Sequence, residues 1–193
     1  MPIAINGSGT LTGVSVGGLP DGIVDTDMIA ANAVTAPKRG PGAILQVQQT
    51  LKTDAFSTTS GSFVDVTGLS VNITPSSSSN KVLVQFTVAV GHNTSTQQAM
   101  QLVRQVSSSD TVINGCAYDS STAMFYTDAA DSYETWDRNQ VLYTWLDSPS
   151  TTSQVNYRLR TKNGSSNTQY VIMFHNSSNN TGSSTITVME VAA

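Results

Sequence analysis

The sequence predicts an all-β protein: a jelly-roll-like antiparallel β-sandwich preceded by an extended N-terminal arm. Three observations predict it. Of the 193 residues, 26 are Ser and 25 are Thr, and these, with Val, suit strands and the turns between them. The residues that build helix surfaces are scarce, with only two Glu and four Lys. From Ala43 onward, short runs of period-two alternation recur between clusters of turn residues. The length suffices for one ordinary domain plus an appendage.

Residues 1–42 read as the arm. They are rich in Gly and hold only short apolar pairs. Leu11 to Val16 alternates like a short strand, and Leu19-Pro20-Asp21-Gly22 is a turn signal, because Pro presets φ while Asp and Gly tolerate turn geometry. Asp25-Thr26-Asp27 is placed to cap a short helix over Met28 to Val34, with Pro37 beyond its end. The stretch Pro37 to Gly42 reads as a linker. A segment of this kind buries no core alone, so its order has to come from a partner chain or from other copies.

Residues 43–193 read as the head. Strands are expected at Ile44–Leu51, Phe63–Ile73, Val82–Val90, Ala99–Val106, Thr111–Ala117, Trp136–Leu146, Val155–Thr161, Tyr170–His175 and Thr185–Val191. Val82, Val84, Phe86, Val88 and Val90 share one face, with Leu83, Gln85, Thr87 and Ala89 on the other. Ile186, Val188 and Glu190 alternate with Thr187, Met189 and Val191. The connectors, such as Ser76 to Asn80, Ser107 to Asp110 and Asp147 to Ser150, are turn residues at the spacing of a sandwich or jelly roll.

Composition excludes several classes. Charged residues make up 11%, against about 25% in a typical soluble protein. The net charge of −4 leaves no electrostatic footprint for nucleic acid. No apolar run approaches the roughly 20 residues of a membrane span. Met1 to Gly18 lacks a basic start and a long apolar stretch, so no signal peptide is expected. Cys116 is alone, which excludes a disulfide framework and a Cys-rich zinc site; it reads as a small buried hydrophobe. His92 and His175 lie far apart, each where a strand is expected to meet a turn. There is no Gly-x-Ser-x-Gly elbow. No catalytic residue, metal ligand or cofactor is assigned.

One region is dense in recognition chemistry. Tyr118 to Trp145 holds seven rings and five carboxylates. Rings stack on sugar faces, carboxylates accept hydroxyl hydrogen bonds, and ring-rich patches dominate protein–protein hot spots. Tyr118, Tyr126, Asp131, Tyr133, Glu134 and Trp136 are therefore the candidate receptor-binding residues. Tyr143 and Trp145 lie on one strand face and are read as filling the sandwich or a subunit seam. The same acids are weighed as a Ca²⁺ site or a glycosidase pair, but no Asp-x-Asp-x-Asp-Gly loop is present and acid pairs arise freely by chance.

The stretches Ser8–Val47 (SGTLTGVSVGGLPDGIVDTDMIAANAVTAPKRGPGAILQV), Val64–Val84, Leu146–Arg160 and Gly182–Val191 (GSSTITVMEV) resemble a family of small structural proteins of tailed bacteriophages, notably phages of aquatic bacteria. The resemblance implies a tail-fibre-like protein on the virion surface, with an arm that attaches to the particle and a trimeric sandwich head that presents loops for host attachment. The arm would then grip the particle through Leu11, Val14, Val16, Ile23, Val24, Met28 and Ile29. Its partners would be itself, as a homotrimer, and other virion proteins: portal, adaptor, tail or major capsid protein. A host surface glycan or protein would meet the loops. The alternative is a capsid decoration or cement protein whose arm clamps neighbouring capsid subunits. A third reading is a monomeric carbohydrate-binding module, which would have no use for the arm.

Overall fold

The computed structural model describes the backbone of residues 4–5, 11–12, 34–35, 38–92, 97–114, 116–118, 121–123, 125–128, 137–163, 169–171 and 182–193, and the side chains of 34–35, 38–90, 99–113, 140–162 and 182–193. The chain forms two units, Met1–Arg39 and Gly40–Ala193. In the first, β1 (Ala4–Ile5) pairs antiparallel with β2 (Leu11–Thr12), Ile5 opposite Leu11. Leu11 and Thr12 are thus the described part of the strand expected over Leu11 to Val16. The helix expected over Met28 to Val34 lies outside the described residues, apart from Val34, which sits in a bend.

The second unit runs through β3 (Ile44–Lys52), β4 (Phe56–Thr58), β5 (Val64–Ile73), β6 (Lys81–His92), β7 (Gln97–Val106), β8 (Ser109–Asn114), β9 (Cys116–Tyr118), β10 (Ser121–Ala123), β11 (Phe125–Asp128), β12 (Asp137–Asp147), β13 (Val155–Asn163), β14 (Gln169–Val171) and β15 (Ser184–Val191). β9 and β10 form a two-stranded ribbon. The other strands make two antiparallel sheets. In the first sheet β15 and β14 pair in succession with one side of β6, and β12 pairs with its other side. β3 lies outside β15 and β4 outside β14. The lateral order is therefore β3/β4, β15/β14, β6, β12. In the second sheet β13 sits between β5 and β7, while β8 and β11 share the far side of β7, giving β5, β13, β7, β8/β11. Apart from the passage from β7 to β8, each connection between these ladder positions leaves one sheet for the other. This interleaved order is that of an eight-position jelly roll, so the expected fold class is the observed one.

The core follows from the alternation. Val82, Val84, Phe86, Val88 and Val90 are all at most 1% exposed, and Ile186 and Val188 lie beside them. β12 continues the same inner face with Val141, Tyr143 and Trp145, opposite Val88, Phe86 and Val84. The Phe86 and Tyr143 rings stack with centroids 5.6 Å apart, so both aromatics of β12 serve packing, as one of the two sequence readings had them. Leu69, Ile73, Met100, Leu102, Tyr157 and Leu159 close the core from the second sheet.

Four departures from the expected elements have local causes. The connector Ser107 to Asp110 shrinks to two residues, because Ser109 and Asp110 already pair with Val106 and Gln105. Ser107 and Ser108 both take positive φ, 48° and 68°, the geometry of the two-residue hairpin turn that Asn-Gly serves best. The strand expected over Thr111 to Ala117 therefore begins earlier, at Ser109, and its remainder falls in β9. His92 ends β6 rather than opening a loop, because Asp137 and Gln169 flank it on both sides. In β5 the ladder jumps from Asp65–Arg160 to Ser70–Arg158. Gly68 takes φ 82° inside this bulge, where a Cβ would stand 3.3 Å from Lys52 Nζ. That ammonium is buried and pairs with Asp54 at 2.7 Å.

The serine turn yields the first expected result. Replacing Ser107→Asn together with Ser108→Gly should stabilise the protein by about 1–2 kcal/mol, since the strain of left-handed backbone at non-Gly residues is relieved. A thermal melt at neutral pH reads it directly.

Candidate functional site

Strand register sorts the functional candidates by end of the sandwich. At one end, Asp137 pairs with His92, Gln169 with His92, Asp128 with Gln97, and Asn163 with Gln98. Asp128 and Asp137 are therefore strand termini of this pole. At the other end, Gly42 donates its N–H to the Ala192 carbonyl and Ala192 donates to that of Ala43, both at 2.9 Å. The chain thus enters the head beside its own C-terminus. β6 spans the distance with 12 residues, about 40 Å at roughly 3.4 Å per residue.

Of the six candidate receptor-binding residues, Tyr126 lies in β11 opposite Ala99, and Tyr118 ends β9 opposite Ser121. Asp131, Tyr133, Glu134 and Trp136 lie outside the described residues. Of the anchoring residues, Leu11 pairs with Ile5. Val14, Val16, Ile23, Val24, Met28 and Ile29 lie outside the described residues. Cys116 is on β9, and His175 lies outside the described residues.

Two buried polar clusters occupy the end where the chain enters. In one, Asp147 accepts the Tyr157 hydroxyl at 2.7 Å and the Arg104 Nη1 at 2.9 Å on each oxygen. Arg104 also reaches the Ser148 carbonyl at 3.2 Å. Burial, then the neighbouring Asp147 charge, pushes the Tyr157 hydroxyl well above the ordinary tyrosine range. Arg104 and Asp147 of this cluster line a cleft of about 290 Å³ together with Ile113 and Trp145. In the other, the Glu190 carboxylate takes Gln46 Nε2 at 2.6 Å, Asn80 Nδ2 at 2.6 Å, and the backbone N–H and hydroxyl of Ser76 at 2.7 Å each. Glu190 is 1% exposed. Burial alone would raise its pKa, but these donors outweigh burial and hold the carboxyl below its usual range.

The outer face of the second sheet carries an ion-pair lattice. Arg158 and Arg160 each bridge Asp65 and Asp110, at 2.6–3.1 Å. Burial works against the Asp110 charge, but donors from Arg158, Arg160 and Gln105 hold its pKa low. The carboxylates of Asp54, Asp65, Asp110, Asp147 and Glu190 are thus each engaged by donors rather than poised as an acid–base pair. Among the described residues no three His, Cys, Asp or Glu side chains stand close enough to hold a metal ion, and no helix is long and apolar enough to cross a membrane.

No protein family matches the chain, and no curated protein does. Solved structures of infectious bursal disease virus are similar to it. The Gx strain structure shares 12% identity at TM-score 0.34, covering 77% of this chain and 37% of that one. The Gt strain structure shares 13% identity at TM-score 0.36, covering 77% and 38%. The VP2 subviral particle shares 13% identity at TM-score 0.35, covering 77% and 37%. The chain thus spans little more than a third of the length of these structures.

Proposed function

We propose that the chain is a structural protein of a bacteriophage particle, a trimeric short fibre on the virion surface. In this reading residues 1–42 anchor it through Leu11, Val14, Val16, Ile23, Val24, Met28 and Ile29, and residues 43–193 present loops to the host surface. One observation carries the reading: the chain joins the sandwich at Gly42 and Ala43, beside Ala192, while Asp128 and Asp137, which flank four of the candidate receptor-binding residues in the sequence, are strand ends at the opposite pole. An attachment protein needs that polarity, one end committed to the particle and the other free to meet the cell. The sequence likeness of Ser8–Val47 and Gly182–Val191 to phage structural proteins supports the particle as the anchor. The engaged carboxylates of the described core favour a binding module over an enzyme. Tyr118, Tyr126, Asp131, Tyr133, Glu134 and Trp136 supply the rings and acceptors for a host glycan or protein.

The test is the copy number of the chain in purified particles, by quantitative mass spectrometry against the major capsid protein. A small multiple of three is expected. A count in the hundreds would make the chain a capsid decoration protein, and its absence from particles would end the virion reading. Replacing Met28→Asp with Ile29→Asp should abolish incorporation while leaving the head folded, because two charges placed in an apolar grip must be buried unpaired. Incorporation at the normal level would remove the arm from the anchoring role.

A further inference from the structure

We propose that the outer face of the first sheet is a seam between copies of this chain. Register lays three cross-strand rows over this face. Leu146, Leu83, Met189 and Val47 form one apolar row across all four ladder positions. Leu142, Thr87, Thr185 and Leu51 form a mixed row with a leucine at each end. Between them Thr144, Gln85, Thr187 and Gln49 make a polar row whose glutamines lie down along the sheet. Gln49 Nε2 donates to the Thr187 hydroxyl at 2.8 Å and Gln85 Nε2 to that of Thr144 at 3.4 Å.

None of the twelve residues in these rows is charged. Leu142 is 74% exposed, Leu51 59%, Val47 52% and Leu146 48%. An antiparallel sheet with one solvated face ordinarily turns polar residues outward, as the Arg158–Asp65 lattice does on the opposite sheet. Exposed leucine and valine side chains gathered on one uncharged face in this way mark a contact.

Three features make the occupant a second copy. Each copy carries a net charge of −4, and this face lets two copies meet without burying a charge or opposing like charges. Four strands wide and three rows long, the face projects about 400 Å² before side-chain relief is counted. That is about half of what each partner of a standard interface contributes, the scale of a reversible association. Leu142, 74% exposed, also lines a depression of about 230 Å³ with Phe86, Thr185 and Thr187, so the surface carries both a protruding leucine and a recess. The inference does not depend on the proposed function: it needs only that two copies of this chain meet through this face.

The experiment is light scattering on the full-length chain after size exclusion, comparing wild type with Leu142→Asp and Leu146→Asp, and with Ser78→Asp as a charge control on an exposed turn. Wild type and the control should run as oligomers. The two leucine variants should run as monomers at the same concentration, an association at least about tenfold weaker, with unchanged circular dichroism and melting. A monomeric wild type, or leucine variants that stay oligomeric, would overturn the proposal. Should an aspartate variant fail to fold, Leu142→Thr removes the protruding leucine without a charge and must still weaken association. Particle copy number is read independently of this mass, so a failed seam and a failed virion reading remain distinct.

Discussion

Replacing Asp147→Ala should destabilise the head by about 3–5 kcal/mol, the cost of breaking a buried ion pair from one side. Asp147 serves two partners, the charge of Arg104 and the hydroxyl of Tyr157. Its loss leaves the Tyr157 hydroxyl, on a residue 0% exposed, without the acceptor at 2.7 Å, and Arg104 without the two 2.9 Å contacts that hold it. Set against a total stability of about 5–15 kcal/mol for such a domain, this is a large fraction. Tyr157→Phe is the graded comparison, because it removes one hydrogen bond to a charged acceptor and should cost about 1.5–3 kcal/mol. Urea unfolding measures both. Equal losses in the two variants would mean that the Arg104 pairing contributes nothing.

The Glu190→Gln variant should lose about 3 kcal/mol at neutral pH, because an amide turns a donor toward groups that already donate and leaves at least one buried N–H or hydroxyl unpaired. Its pH dependence is the sharper reading. The folded carboxyl sits below its ordinary value of 4.5. A group depressed in the folded state contributes stability above its unfolded pKa and loses it as pH falls through the folded one. Wild type should therefore lose stability below about pH 4.5 partly through this site. The glutamine variant, with nothing to titrate there, should show a smaller loss, so the gap between the two melting curves should narrow in acid. A constant gap would show that the Glu190 charge is not what the four donors hold.

The architecture was legible wherever alternation was clean. The inner faces of β6 and β15 follow from Val82 to Val90 and from Ile186 to Val188, and Tyr143 and Trp145 pack as their strand face implied. The short strands β4, β10 and β11 were not legible, since three or four residues carry too little periodicity to stand apart from their turns. The order of the strands came from pairing, which no local pattern encodes. The buried polar clusters were missed although a signal was present. Arg104 continues the inward run of Met100 and Leu102, Asp147 that of Tyr143 and Trp145, and Glu190 that of Ile186 and Val188. A charge in phase with an apolar run has to be buried with a partner. The candidate recognition residues drew on composition alone, and backbone pairing locates two of the six, Tyr118 and Tyr126.

The way the chain enters the head has a mechanical consequence. β3 begins at the end where Gly42 and Ala43 clasp Ala192, and it runs from there toward the opposite pole, paired with β15 from Ile44–Val191 to Lys52–Ser184. Tension drawn through Gly40 and resisted at the far pole acts along β3. Ladder hydrogen bonds lie perpendicular to the strands, so this pull loads all eight β3–β15 pairs in shear rather than opening them one after another. A load applied along this path is therefore met by the whole ladder at once.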